Sequence, residues 1–254
     1  GLNGQFVEVG YGGDPVRAHD AVPTGVNLLG FNPAKVPTKA AWKVGQQLVE
    51  DDIANHYQEN GEYPNKLAFS LWSLETMRHQ GALEAQILHA MGLKPKWNNQ
   101  GNVVDTEVIP YSELKRPRID VVISATGLYR DAFPNVMIWL AKAIDKVAKM
   151  KEENNFVYRN ASVLRDELLA KGKTEEDADY LSSIRIFSNE TGNYGTGLAA
   201  SSLASGSGFT AQSPYTMTCS GNNMKKTEDT NLALGAVFIN CNAGRMVLAV
   251  VWMA

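Results

Sequence analysis

Arg116-Pro117-Arg118-Ile119-Asp120-Val121-Val122-Ile123-Ser124-Ala125-Thr126-Gly127-Leu128-Tyr129-Arg130-Asp131-Ala132-Phe133-Pro134-Asn135 is the stretch that decides the fold. Ile119 to Ser124 is short, apolar and β-branched, the composition of a buried strand. Small and hydroxylated residues follow, then the charged pair Arg130-Asp131, and Val136 to Met150 reads as a long amphipathic helix. In an open α/β sheet, ligands bind beyond the carboxyl ends of the strands. The loop after Ser124 therefore brings hydroxyls, a guanidinium and a carboxylate to the place where a ligand is expected.

The same alternation extends outward. Thr38 is an N-cap for a helix over Ala40 to Tyr57, whose apolar residues Ala41, Val44, Leu48 and Ile53 fall at helical spacing. Lys66 to Trp72 reads as a strand, and Leu83 to Met91 as a helix closed by Gly92. Lys96-Trp97 and Val103 to Ile109 form short strands around a turn rich in Asn and Gly. Ala161 to Ala170 is helical, and Thr174 caps a further helix with Glu175, Glu176 and Asp177 in its first turn, where they suit the helix dipole. Ile184 to Phe187 is a short apolar run. Strands alternating with helices predict an α/β fold, a mostly parallel, Rossmann-like sheet with flanking helices. Residues 1–38, rich in Gly and Pro, form an extended N-terminal arm, and 39–203 form the α/β domain. Residues 204–254 are a C-terminal tail of different composition, with a two-strand hairpin expected over Leu232 to Trp252 around Asn242-Ala243-Gly244.

Composition removes several function classes. A net charge of −3 without a basic stripe offers no electrostatic footprint for nucleic acid. Cys219 and Cys241 are the only two cysteines, too few for a disulfide framework and outside any CxxC spacing. No uninterrupted apolar run of about 18 residues occurs, so no membrane span is expected. The N-terminus lacks the charged start and apolar run of a secretory signal, which points to a cytoplasmic protein.

The Gly-rich loop Gly192 to Gly197 meets neither GxGxxG nor GxxxxGK[ST], so it reads as a tight turn and not as a nucleotide site. His19, His56, His79 and His89 show no HxxH or HExxH spacing. His79 stands apart because it follows the strand Lys66–Trp72, again at a carboxyl end. Arg17, Arg78 and Arg130 fall in loops beside Gly or polar residues, where guanidinium groups can take carboxylates through paired hydrogen bonds. Of the five tryptophans, Trp72 is the one read as available for stacking on a ligand; the others read as core.

Four stretches together resemble one family. They are Gly12-Gly13-Asp14-Pro15 with Pro23-Thr24-Gly25-Val26-Asn27, Phe31-Asn32-Pro33 and Pro37-Thr38; Tyr63-Pro64 through Leu71-Trp72 to Met77-Arg78 and Gly81; Ile109-Pro110 and Glu113-Leu114 with Arg116 to Pro134; and Arg185-Ile186-Phe187-Ser188-Asn189 with Gly192-Asn193-Tyr194-Gly195. The pattern is similar to that of the large subunits of cobaltochelatase and magnesium chelatase, over about Gly10 to Leu203. Asn32 stands where that family usually has Asp. Family members are several times longer, so the resemblance covers an internal region only. The run Met77 to Gln86 departs from the commoner "MRTGGDDIAQ" and is closer to a cobaltochelatase-like branch that removes iron from haem.

The resemblance implies a tetrapyrrole substrate (porphyrin, corrinoid or haem) and a divalent metal, cobalt, magnesium or iron. It also implies AAA+ ATPase partner subunits that supply ATP chemistry, which suits the missing P-loop. Arg78, Arg130 and Arg17 would bind macrocycle carboxylates, with Thr126, Asn27 and Asn135 positioning. His79 or Asp131 would act on protons, and His79 would be the metal ligand. Metal insertion is the leading expectation, iron removal from haem the alternative, and a non-catalytic tetrapyrrole-binding or scaffold protein a third.

Overall fold

The computed structural model describes residues 2–10, 12–13, 16, 19–28, 30–188 and 247–248. Thr38 is the N-cap expected of it. Its side chain accepts the Ala41 N–H at 3.2 Å and starts α1, Lys39–Asn60, which presents Ala41, Gly45, Val49 and Ile53 inward. The chain continues as β1 (Lys66–Leu71), α2 (Ser73–His79), α3 (Ala82–Ala90), β2 (Leu93–Trp97), β3 (Val103–Val108), α4 (Tyr111–Leu114) and β4 (Asp120–Ala125). There follow α5 (Gly127–Ala132), α6 (Pro134–Ala148), α7 (Phe156–Ala170), α8 (Glu175–Ser183), β5 (Ile186–Ser188) and β6 (Val247–Leu248).

The main sheet has the order β5-β4-β1-β6, and each of these pairings is parallel. β1 and β4 run in register from Lys66↔Asp120 to Leu71↔Ala125. Every residue of β4 is buried, including Asp120 and Ser124, as in a strand covered on both faces. β2 and β3 form a separate antiparallel hairpin. The α/β reading therefore holds. Of the expected C-terminal hairpin, only Val247–Leu248 falls among the described residues, paired with β1; the rest of it and the Gly192–Gly197 loop lie outside them.

Two expected loops are helices. The segments after β1 and β4, which carry Arg78, His79, Arg130 and Asp131, fold as α2 and α5. Neither exceeds seven residues, and Trp72 at the N-cap of α2 makes no side-chain cap. Helices this short have little autonomous stability, so their sequence signal is weak and tertiary contacts form them.

Buried ions pin the layers. Arg118, 1% exposed, donates to the carbonyls of Gly92 (2.8 Å) and Ile109 (2.9 Å) and pairs with Glu152 at 2.8 Å. On the outer face, Glu50 Oε1 accepts from His89 Nε2 at 2.6 Å and from Arg116 Nε at 2.9 Å. Burial pushes the Glu50 carboxyl upward, but the hydrogen bonds from His89 and Arg116 and the Arg116 charge outweigh it and lower the pKa from 4.5 to about 2. A depressed carboxyl stabilises the folded state above its unfolded pKa. That contribution is lost as pH falls from 4.5 through about 2. Because the Glu50 side chain is 38% exposed, screening limits the loss to about 1–2 kcal/mol. Denaturant unfolding across that window should show the loss in the wild type and not in Glu50→Gln.

Candidate functional site

The carboxyl ends of β1 and β4 lie side by side, with Leu71 opposite Ala125. Thr126, 2% exposed, locks them further: its N–H donates to the Leu71 carbonyl at 3.1 Å. Its hydroxyl accepts the Tyr129 N–H at 3.3 Å and caps α5. Thr126 thus positions α5 and is itself inaccessible. The two strands release α2 and α5 as neighbours at this edge of the sheet.

On α5, Arg130 Nε donates to Asp131 Oδ1 at 2.9 Å. On α2, Arg78 Nη1 donates to Glu75 Oε1 at 2.9 Å, with the Arg78 side chain 60% exposed. The Arg78 pair is one that water screens, worth little as structure and open to exchange for another carboxylate, whereas the Arg130 side chain is only 18% exposed beside the half-exposed Asp131. His79 ends α2 and accepts at Nδ1 from Gly81 N–H (3.2 Å) and Ala82 N–H (3.0 Å), so it caps α3. With Nδ1 accepting, the ring proton sits on Nε2, and ligation of a metal would require the other tautomer. Among the described residues, no group of three or more His, Cys, Asp or Glu side chains is arranged to hold a metal ion.

Asn135 is exposed in the first turn of α6, directly beyond α5. Asn27 is used within the arm: its amide donates to the Ala21 carbonyl at 2.9 Å and its Oδ1 accepts the Gly25 N–H at 3.2 Å. Arg17 lies outside the described residues. The structure thus gathers Arg78, His79, Thr126, Arg130 and Asp131 on two adjacent elements, with Asn135 next in line.

Two features of this edge, the availability of Trp72 apart, were not read from the sequence. One is apolar: Trp72, Leu74, Met77 and Leu128 are 45%, 66%, 37% and 51% exposed on α2, its N-cap and α5. Clustered exposed apolar side chains mark contact surfaces. The Trp72 indole donates to Ser70 Oγ at 3.1 Å, which orients the ring. Trp42 and Trp139 pack against the core, Trp97 meets Trp42 edge-on and donates to the Pro37 carbonyl at 2.9 Å, and Trp252 lies outside the described residues.

The other is a carboxyl group. Glu84 is 0% exposed, and its Oε1 accepts from Thr76 Oγ1 and Tyr129 Oη, each at 2.8 Å. Burial first, then the charge and hydrogen bond of Glu84, push the Tyr129 phenol well above its usual range and keep it a donor. One signal was available: all of α3 except Leu83 is buried, and a helix covered all round must bury its single carboxylate too.

With this geometry in view, the matches to known proteins are informative. The family model CobN/Magnesium Chelatase matches residues 1–206. The aerobic cobaltochelatase subunit CobN of Pseudomonas aeruginosa is 35% identical over 78% of this chain and 16% of its own length. The chloroplastic magnesium-chelatase subunit ChlH of Oryza sativa subsp. japonica is 37% identical over 76% of this chain and 14% of its own. The catalytic subunit of cobaltochelatase from Mycobacterium tuberculosis has a similar structure, with a TM-score of 0.65, 34% identity, and coverage of 78% of this chain and 16% of that one. The chain therefore spans about a sixth of the length of these relatives. No helix among the described residues is long and apolar enough to cross a membrane. The motifs, the parallel sheet and these matches agree, and the chain belongs to the CobN/magnesium chelatase family.

Proposed function

We propose that this chain is the tetrapyrrole-holding part of a metal chelatase large subunit that inserts cobalt or magnesium into a corrinoid or porphyrin. One observation carries the reading. The adjacent carboxyl ends of β1 and β4 lead into two short helices that carry exposed apolar residues (Trp72 at the N-cap of α2, Leu74, Met77, Leu128) together with Arg78 and Arg130. A tetrapyrrole is a flat apolar ring with carboxylate arms, and it needs both kinds of contact.

In this reading the apolar side chains meet the ring face, and Arg78 and Arg130 exchange Glu75 and Asp131 for macrocycle carboxylates through charge-assisted hydrogen bonds. Thr126 holds α5 in place, Asn135 adds a polar contact at the head of α6, and Asn27 shapes the arm. Arg17 is a further carboxylate partner. The metal is a substrate, and two pyrrole protons leave as it enters. Asp131, released from Arg130, is the exposed carboxylate that takes one, and solvent water takes the other. His79, with Nδ1 committed to the cap, serves as a positioning group. That commitment favours insertion over iron removal from haem, because it withholds the ring nitrogen that an axial ligand would supply. The nucleotide-driven step belongs to AAA+ partner subunits.

A visible-absorption titration tests this. Metal-free porphyrin and a cobalt-free corrinoid should each shift the absorption bands, and Arg78→Leu with Arg130→Leu should weaken binding by about tenfold or more, the value of one or two charge-assisted hydrogen bonds. A wild-type protein that shifts neither spectrum would overturn the reading.

A further inference from the structure

We propose that Glu84 is a positioning residue that sets the spacing between the two helices carrying Arg78 and Arg130. This inference rests on the tetrapyrrole reading for its consequence, but its structural core is independent of it. α2 and α5 have seven and six residues. Their first turns are fixed by the strands they leave, because β1 and β4 are paired up to Leu71↔Ala125. Their far turns, which bear Arg78 and Arg130, have no such support from the sheet.

Glu84 supplies it. Its Oε1 receives one hydroxyl from each helix, Thr76 Oγ1 from α2 and Tyr129 Oη from α5, both at 2.8 Å. Thr76 lies two residues before Arg78, and Tyr129 one residue before Arg130. All three members are 0% exposed. The bridge also reaches the arm, since Tyr129 stacks on Phe133 at 4.9 Å and Phe133 meets Phe31 edge-on at 5.8 Å.

Stability alone does not favour a carboxylate here. Its bonded partners are two neutral hydroxyls, and Oε2 has no hydrogen-bond partner among the described residues. An ionisable group buried on such terms is costly, and apolar residues of similar volume would fill the same space at lower cost. What apolar packing does not provide is a single acceptor that holds two helices at hydrogen-bond length, because packing contacts are non-directional.

The test separates positioning from ligand binding. Nitroxides are placed at Leu74→Cys and Leu128→Cys in the full chain carrying Cys219→Ser and Cys241→Ser. Thr76→Val and Tyr129→Phe each delete one arm of the bridge with little change of shape. Each should widen the distribution of spin–spin distances relative to the parent, whereas Glu84→Gln, which keeps an acceptor oxygen, should not. Distributions unchanged in both single-arm variants would overturn the proposal.

The second arm compares a dicarboxylate porphyrin with its monoester in the unlabelled protein. Held at fixed spacing, the two arginines should favour the dicarboxylate by about tenfold, and this ratio should fall toward one in Thr76→Val and Tyr129→Phe and survive in Glu84→Gln. A loss of folded protein would lower both affinities and leave their ratio intact. If the wild type binds no porphyrin, the tetrapyrrole reading falls, and the spin-label distances still decide the role of Glu84.

Discussion

Asp120→Ala should lower the unfolding free energy by about 3–5 kcal/mol, the cost of removing one partner from a buried charge network. Asp120 opens β4 at 0% exposure. Its Oδ1 accepts from Arg185 Nε at 2.8 Å, and its Oδ2 takes Asn160 Nδ2 at 2.9 Å and Lys66 Nζ at 3.3 Å. One carboxylate thus ties β1, α7 and the segment entering β5 to the middle of the sheet. The Arg185 and Lys66 side chains are only 4% and 12% exposed, so neither regains full hydration when the aspartate is gone. Equilibrium unfolding in denaturant should show a lower midpoint with an unchanged slope. Asp120→Ala/Arg185→Met should recover part of the loss, because it removes one stranded cation. A loss under about 1 kcal/mol in the single variant would refute the network's role.

Gly45→Ala should destabilise the protein by about 1–3 kcal/mol, against what helix propensity predicts. In the interior of an exposed helix, alanine is better than glycine by about 1 kcal/mol. At Gly45 the added Cβ would overlap the Ala82 carbonyl oxygen and stand 2.7 Å from Ala85 Cβ and 3.1 Å from Gln86 N. Two of these are backbone atoms of α3, which cannot rotate aside. α1 must then move off α3 at its first turn, where the His79 cap reaches Ala82 N–H. Thermal unfolding should therefore show a fall in Tm of several degrees, and a rise would refute this account of the α1–α3 contact.

These two positions show where sequence reading works and where it stops. The β-branched stretch Ile119 to Ser124 reads as a buried strand, and it is: β4 is covered on both faces, with Asp120 buried at its start. Thr38 and Thr174 were legible as caps, because a hydroxyl ahead of a helical pattern satisfies the first free N–H groups locally. That the segments after β1 and β4 leave the carboxyl ends of paired parallel strands was legible too, since it follows from the order of elements. α2 and α5 were not, because helices of seven and six residues owe their existence to partners elsewhere in the chain.

The same division holds for single side chains. Arg78, His79, Arg130 and Asp131 stand out in the sequence because they are polar or charged groups in segments that follow strands, where parallel sheets offer room for a ligand. That His79 spends Nδ1 on a helix cap, and that Asn27 serves its own turn, depends on backbone geometry. By itself the sequence determined the α/β class, the parallel strands and which segments leave the carboxyl ends of β1 and β4, because burial pattern and element order are local or topological properties. Only the tertiary structure decided that Gly45 must remain glycine, that Asp120 anchors the sheet, and that Glu84 joins Thr76 to Tyr129. Each of these depends on atoms from segments distant in the chain meeting within hydrogen-bond or contact distance, which no local pattern encodes.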